Sequence, residues 1–193
     1  MPLDIGIGIF AAIIVSKLFG AELSPLFVAI SIAIALLPDI DFIYTLLRKG
    51  PRDTHAIIRH RDLLHYPLIY LPVGAAIAFL FGPQWTVLFL LTSAGHFLHD
   101  SIGLGCGIPW LWQFTSRNYT FFYRYTIPQK RFPSQVVYRW ERSNIDRLID
   151  EYRDPNWLKN IYFKLHPVFA TEIAGFLFAI YFLWRISAAL AGN

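Results

Sequence analysis

The chain has 193 residues and a mass of 22.3 kDa, which argues for one domain or one helical bundle. Hydrophobic residues make up 55% of it and charged residues only 16%, against about 25% charged residues in an ordinary soluble chain. This composition excludes a disordered protein or a nucleic-acid-binding tail, in spite of the net charge of +4. A single cysteine, Cys106, excludes an internal disulfide and a cysteine-based zinc site. The composition indicates a membrane protein.

Five apolar segments follow one another along the chain, and we predict that each forms a membrane helix. At about 1.5 Å per residue the first four reach only about 22–26 Å, short of a hydrocarbon core of about 30 Å, whereas the fifth is long enough to cross. Tight turns join the first segment to the second and the third to the fourth. We therefore expect an all-α integral membrane bundle of two short helical hairpins plus a fifth spanning helix. The segments are residues 5–19, 23–38, 66–82, 85–99 and 168–190.

Two basic connectors predict the orientation of this bundle. Residues 39–65 and 100–167 carry fifteen of the seventeen Lys and Arg residues, and the two hairpin turns carry none. The positive-inside rule then places both connectors and the N-terminus in the cytoplasm. Helical spacing at residues 145–152 and after Asp154-Pro155 predicts amphipathic helices on the membrane surface, with a substrate-gating lid as the alternative. We divide the chain into a membrane core (1–115), an interfacial segment (116–167) and a C-terminal transmembrane helix (168–193).

Two acids end the second apolar segment, in the sequence Leu37-Pro38-Asp39-Ile40-Asp41. We expect them at a helix C-terminus, where the helix dipole and their mutual repulsion are both unfavourable. A bound cation would reverse both penalties. Solvated acids in an interfacial turn are the alternative interpretation.

Histidines lie at the start of the third segment and at the end of the fourth. His60 and His65 meet only if the chain bends between them or if a helix begins near Asp62, a plausible N-cap. His96 and Asp100 are four residues apart and share one face of a helix. Ionisable groups inside an apolar span are costly and point to function. The alternative is a buried His–Asp pair that holds helices together.

The predicted topology brings these side chains to one membrane face and makes them a candidate metal site. Mixed imidazole and carboxylate ligands suit zinc, with manganese or iron as alternatives, and they suffice for one or two ions. Arg59 and Arg61 supply positive charge for an anionic substrate. The predicted metal ligands are Asp39, Asp41, His60, His65, His96 and Asp100.

Other residues near these motifs receive structural interpretations. We interpret His55 as an ordinary surface histidine and Cys106 as a small packing residue. The glycines at 103, 105 and 107 predict a flexible turn that lets Trp110 and Trp112 lie at the membrane interface. For His99, a metal ligand and a supporting residue both remain open.

In order and spacing, three motifs resemble those of the YdjM-like family: residues 37–41, His60-Arg61 through His65, and Gly95-His96 through Asp100. That family is described as inner-membrane-associated, metal-dependent hydrolases, with a link to the LexA repressor in one branch. It is distantly similar to helical zinc phospholipases C and their nuclease relatives, which hydrolyse phosphoesters. The resemblance covers about residues 30–115 and departs from the family at Asp62 and Leu64. The family usually has a small residue and a hydroxyl residue there, so a hydroxyl-dependent step is in doubt.

The resemblance implies a membrane-bound, metal-dependent hydrolase at the cytoplasmic face of an inner membrane. We predict that it cleaves a phosphoester, with a phospholipid favoured, and that Arg61 neutralises charge on the phosphoryl oxygens while Asp62 accepts the proton of the attacking water. Expected partners are membrane lipids and an anionic substrate, with no direct nucleic-acid contact and a LexA-like regulator left open. One alternative is a non-catalytic membrane scaffold or regulator-binding protein with structural His–Asp pairs. Another is a transporter, which polar groups at one face only disfavour.

Overall fold

The computed structural model describes residues 2–62, 64–102, 106–122, 136–152, 154–164 and 166–191. Helices make up 73% of the structure, and the predicted all-α membrane bundle is confirmed, with a small two-stranded sheet added. The elements are α1 (Pro2–Phe19), α2 (Pro25–Leu36), α3 (Ile40–Lys49), α4 (Thr54–Arg59), α5 (Pro67–Phe79), α6 (Pro83–Ser101), β1 (Arg117–Phe121), β2 (Val137–Glu141), α7 (Ile145–Tyr152) and α8 (Pro167–Ala191).

Three described segments are long and apolar enough to cross a membrane: Pro2–Phe19, Pro25–Lys49 and Pro167–Ala189. The second runs through both α2 and α3, so its apolar character continues beyond the predicted end at residue 38. α5 is a shorter apolar helix. All five predicted apolar segments form helices, and their bounds agree closely with α1, α2, α5, α6 and α8.

The chain divides into two compact units. Residues 1–38, 71–96 and 170–193 form one, which we call the apolar unit. Residues 39–70 and 97–169 form the other, the polar unit.

Small residues set the helix packing inside the apolar unit. A β-carbon at Gly8 would lie 2.6 Å from the Cα atom of Ile32, so α1 and α2 approach each other closely because residue 8 has no side chain. The Ser31 hydroxyl on α2 donates a hydrogen bond of 2.6 Å to the Gly8 carbonyl on α1. Gly95 on α6 in the same way accommodates Ile7 of α1. Small residues at contacts are the usual means of bringing membrane helices together, since packing rather than water exclusion drives their association.

A separate apolar cluster forms the core of the polar unit. It joins Ile58 of α4, Cys106, and the inward face of α7 at residues 145, 148 and 149. Cys106 is buried in this cluster, in agreement with its interpretation as a packing residue. The predicted helix over 145–152 is confirmed as α7, whereas the one expected after Pro155 is reduced to a π-helical turn at Leu158–Tyr162.

The β-hairpin of the polar unit was not predicted. β1 and β2 pair antiparallel, with Tyr119 opposite Arg139. The strand signal was hidden because the residues of β1 that point inward are polar: Asn118 and Thr120 are buried, while their aromatic neighbours are less so. Asn118 donates to the Gly107 carbonyl, and the indole of Trp140 donates to the Thr120 hydroxyl. These inward polar side chains reverse the usual alternation of a half-buried strand.

Gly107 is the one glycine of the predicted turn whose conformation the structure describes. Its φ of 62° lies in the left-handed region, and a β-carbon there would be 1.9 Å from the Tyr119 carbonyl oxygen. Only glycine allows this close approach between the turn and β1. The glycines at 103 and 105 lie outside the described residues.

Candidate metal centre

Asp39 and Asp41 lie where one helix ends and the next begins. Pro38 cannot donate the hydrogen bond that would continue α2, so α2 ends at Leu36 and a 3-10 turn follows. α3 begins directly after Asp39, with Asp41 in its first turn. The prediction that both acids suffer from a helix C-terminus is therefore wrong, because the N-terminal dipole of α3 favours negative charge there.

The chain bends between the two histidines of the next motif. α4 ends at Arg59, His60–Asp62 form a 3-10 turn, and α5 begins only at Pro67. The bend brings the rings of His60 and His65 to a centroid separation of 5.2 Å, as the bent-chain alternative required. A helix start near Asp62 is wrong, since proline is preferred in the first helical turn and Pro67 takes that place. The side chain of Asp62 lies outside the described part of the structure.

Three carboxylate–imidazole contacts connect these motifs in the polar unit. The Asp39 Oδ1 atom lies 3.5 Å from Nε2 of His60 and 3.5 Å from Nε2 of His65. The Asp100 Oδ2 atom lies 3.1 Å from the same nitrogen of His65. Zinc bonds of about 2.1 Å would place neighbouring ligand atoms about 3.0 Å apart at right angles and about 3.4 Å apart in a tetrahedron. The observed separations have this size.

The ring of His60 is oriented for a metal ligand. Its Nδ1 atom donates a hydrogen bond to the carbonyl of Ile57, so the lone pair of the neutral ring is on Nε2. The ring of Phe42 packs edge-on against the imidazole, with the centroids 5.1 Å apart. Nε2 is buried and has no hydrogen-bond partner among the described residues. A bound cation would satisfy it.

The carboxylate of Asp41 is another buried polar group near His60. Both of its carboxylate oxygens are buried without a hydrogen-bond partner among the described residues. One ligand atom from each of Asp41, His60 and His65 lies within 4.8 Å of the other two. Buried polar atoms left unpaired cost about 1–3 kcal/mol each, and more when charged, so they point to a group that the protein binds. The donor set and its unpaired atoms thus suit a divalent metal ion.

Arg61 holds Asp100 in place. One guanidinium nitrogen lies 3.0 Å from Asp100 Oδ1 and another donates to the Asp100 carbonyl, at 3.3 Å. Asp100 therefore directs one oxygen to Arg61 and the other to His65. Arg59, in contrast, pairs with Asp146 on the surface.

The carboxylates around His65 favour a cation at this position. Burial lowers the pKa of His65, but the hydrogen bonds to Asp100 and Asp39 outweigh it and raise this pKa to about 9. The carboxylates around Nε2 thus stabilise positive charge. A divalent ion bound to this nitrogen in place of the proton would be stabilised by the same carboxylates.

His96 belongs to the apolar unit and has a partner that the sequence analysis missed. Its Nδ1 atom lies 3.2 Å from Oδ1 of Asp4 on α1, and both residues are fully buried. Asp4 is an acid inside an apolar helix, which was the available signal, but its partner is 92 positions away. Asp100 follows His96 by one turn of α6, so the predicted spacing on one helix is confirmed. His99 is half-buried.

Five of the six predicted ligands therefore lie together in the polar unit: Asp39, Asp41, His60, His65 and Asp100. The sequence matches the YdjM inner membrane protein family over residues 4–189. The chain belongs to this family. The match extends the resemblance, which the motifs had limited to residues 30–115, over almost the whole chain. No curated protein and no solved structure matches it.

The inner-membrane assignment of the YdjM family agrees with the three described helices that are able to span a membrane. The resemblance also implied a metal site, and the His/Asp clusters described above could hold a metal ion.

An exposed clamp in this YdjM protein joins α4, which leads into His60, to α7. The His55 Nε2 atom lies 2.7 Å from Asp150 and its Nδ1 atom 3.4 Å from Asp146, which also pairs with Arg59. His55 is a surface histidine, as interpreted from the sequence. The hydrogen bond to Asp150 raises its pKa above the ordinary value of 6.5.

Replacing Asp150 by Asn should therefore lower stability in a pH-dependent way. Because the folded-state pKa of His55 is raised, its contribution is fully present below about pH 6.5 and is lost as the pH rises through the raised value. We expect the unfolding midpoint of Asp150→Asn in detergent to fall below that of the native chain at acidic pH, with the gap closing at alkaline pH. The neighbouring exposed acid provides the control, Glu151→Gln. A gap of constant size at every pH would contradict this role of His55.

Proposed function

We propose that this chain is a membrane-bound, metal-dependent hydrolase that cleaves a phosphoester, with a phospholipid as the favoured substrate. The observation that carries the proposal is the buried carboxylate of Asp41, whose oxygens have no hydrogen-bond partner among the described residues, beside three carboxylate–imidazole contacts. A scaffold that used these residues for packing would gain by pairing Asp41 with a hydrogen-bond donor.

The residues that would hold the ion are Asp39, His60, His65 and Asp100, all of the polar unit. Zinc is the first choice for this nitrogen and oxygen donor set, with manganese or iron as alternatives. A divalent ion at this position supplies Lewis acidity and makes water a competent nucleophile near neutral pH. With such an ion bound, hydrolysis would need no activated serine or cysteine.

The side chains of the protein supply the remaining requirements of phosphoester cleavage. Arg61 is 20% exposed, so its guanidinium adds positive field at the centre while it holds Asp100. Such fixed charge lowers the barrier as negative charge grows on the phosphoryl oxygens. A carboxylate must accept the proton of the attacking water, and the sequence nominates Asp62 for that role.

A lipid substrate is supported by the surface next to the candidate centre. On α3 the residues Ile40, Ile43, Tyr44 and Leu47 are exposed and follow one another at helical spacing, while Asp41 of the same helix has its oxygens buried. Acyl chains are the natural cover for such a stripe in an inner membrane protein. Arg48 stacks on Tyr44 at the end of the stripe, an aromatic and cationic pair typical of a membrane interface. A LexA-like regulator rests on the resemblance alone.

The metal requirement can be tested directly on the purified protein. We expect the native chain, prepared in a mild detergent without chelator, to contain zinc, manganese or iron and to cleave a model phosphodiester or phospholipid vesicles. Asp39→Ala and His60→Ala should lose both the metal and the activity, because each removes an atom from the contacts at Asp39 Oδ1. Metal analysis and a phosphate-release assay before and after chelation provide the measurements.

The matched control is Asp53→Ala, which removes an N-cap hydrogen bond of α4 outside the centre. It should keep the metal and lose about 1 kcal/mol of stability. A native protein with neither metal nor turnover would favour the scaffold instead, and undiminished turnover in His60→Ala would contradict a catalytic centre that contains His60.

The proposal places the polar unit at the cytoplasmic face, since fifteen of the seventeen basic residues lie in residues 39–65 and 100–167. In a Cys106→Ala background, single cysteines introduced by Arg52→Cys and Lys130→Cys should react with a membrane-impermeant maleimide only after the cells are opened. Glu22→Cys, in the turn between α1 and α2, is the control and should react from outside. Labelling of residues 52 and 130 in intact cells would contradict this orientation.

A further inference from the structure

Asp41 differs from the other two carboxylates of the centre. Asp39 and Asp100 each have an oxygen 3.1–3.5 Å from an imidazole nitrogen. Asp41 lies close enough to belong to the group, within 4.8 Å of His60 and His65, but its oxygens have no hydrogen-bond partner among the described residues. Asp41 therefore lies next to the carboxylate–imidazole contacts but forms none of them.

Counting ligand atoms gives the same division. Three contacts of 3.1–3.5 Å link four donors, Asp39 Oδ1, Nε2 of His60, Nε2 of His65 and Asp100 Oδ2, and among the described residues no such contact includes Asp41. Catalytic metal sites keep at least one position open for water or substrate, and a further carboxylate in the shell would tend to close it. A carboxylate next to the open position would instead face the water that occupies it.

The backbone keeps Asp41 in this position. It lies in the first turn of α3, directly after the 3-10 turn that carries Asp39. The next residue, Phe42, packs against the ring of His60, so the start of α3 is fixed relative to the histidine. A base must be held within reach of the proton that it removes, and this local packing meets that need.

We propose that Asp41, rather than Asp62, is the catalytic residue that accepts the proton of the attacking water. The inference rests on the proposed function and deepens it. As the water oxygen forms its bond to phosphorus, the Asp41 carboxylate takes one proton from that water. The bond between phosphorus and the leaving oxygen breaks, the leaving oxygen keeps the electron pair, and it receives a proton from Asp41 or from solvent.

The test separates the role of a base from the role of a ligand. The variants Asp41→Asn, Asp62→Asn and Asp39→Asn are compared with the native chain for Zn²⁺ affinity in detergent and for hydrolysis of bis(4-nitrophenyl) phosphate. We expect Asp41→Asn to bind Zn²⁺ within about threefold of the native affinity and to keep its KM, while kcat falls about 10²–10⁴-fold. Asp39→Asn should lose Zn²⁺. Asp62→Asn should retain more of kcat than Asp41→Asn.

Each other outcome overturns a defined part of the account. Loss of Zn²⁺ in folded Asp41→Asn would make Asp41 a ligand, and a larger loss of kcat in Asp62→Asn would restore Asp62 as the base. A native chain that binds Zn²⁺ and turns over, with Asp41→Asn within tenfold of it in kcat, overturns this inference alone. A native chain with neither Zn²⁺ nor turnover overturns the proposed function as well. If Asp41→Asn shows no cooperative unfolding transition, Asp41→Ala and Asp41→Glu replace it under the same criteria. Asp41→Glu keeps a carboxylate and should recover part of kcat.

Discussion

The desolvation of the Asp39 carboxylate is the constraint on which the rest of the candidate centre depends. A buried carboxylate is costly unless positive charge or hydrogen-bond donors surround it. Oδ1 of Asp39 is shared between two imidazole nitrogens at equal distances, and the second imidazole is shared in turn with Asp100. Arg61 compensates the remaining oxygen of Asp100. Asp39, Asp41 and Asp100 bring three carboxylates to one guanidinium and two imidazoles, a charge pattern that suits a cation site.

Local backbone breaks bring this cluster together. Pro38 ends α2 and allows α3 to start at the ligand-bearing turn, while the 3-10 turn at residues 60–62 bends the chain so that both histidines face Asp39. Each ligand therefore lies at or near the end of a helix, where the backbone direction changes. Side chains placed in this way are fixed by short segments rather than by long loops, which suits a site that must keep its geometry.

Much of the fold and of the candidate site was predictable from the sequence because strong local patterns produce them. The apolar runs gave all five long helices, and the Asp and His motifs gave the five candidate residues that meet in the polar unit. Periodicity could not show that α3 continues the second segment, since two acids in an apolar sequence indicate the end of a membrane helix. The hairpin was hidden because Asn118 and Thr120 point inward and form hydrogen bonds with Gly107 and Trp140, partners that no local pattern indicates. The contact between His96 and Asp4 depends on the packing of α1, which no local pattern encodes.

The most direct test of a His/Asp metal centre is the X-ray absorption spectrum of the metal in the purified native protein. We expect only nitrogen and oxygen atoms bound to the metal, at about 2.0–2.2 Å, with the multiple-scattering signature of at least two imidazoles. The same spectrum should lose imidazole scattering or the metal itself in His65→Ala. A shell that contains sulfur, a metal without imidazole ligands, or no bound metal at all would contradict the centre built around Asp39.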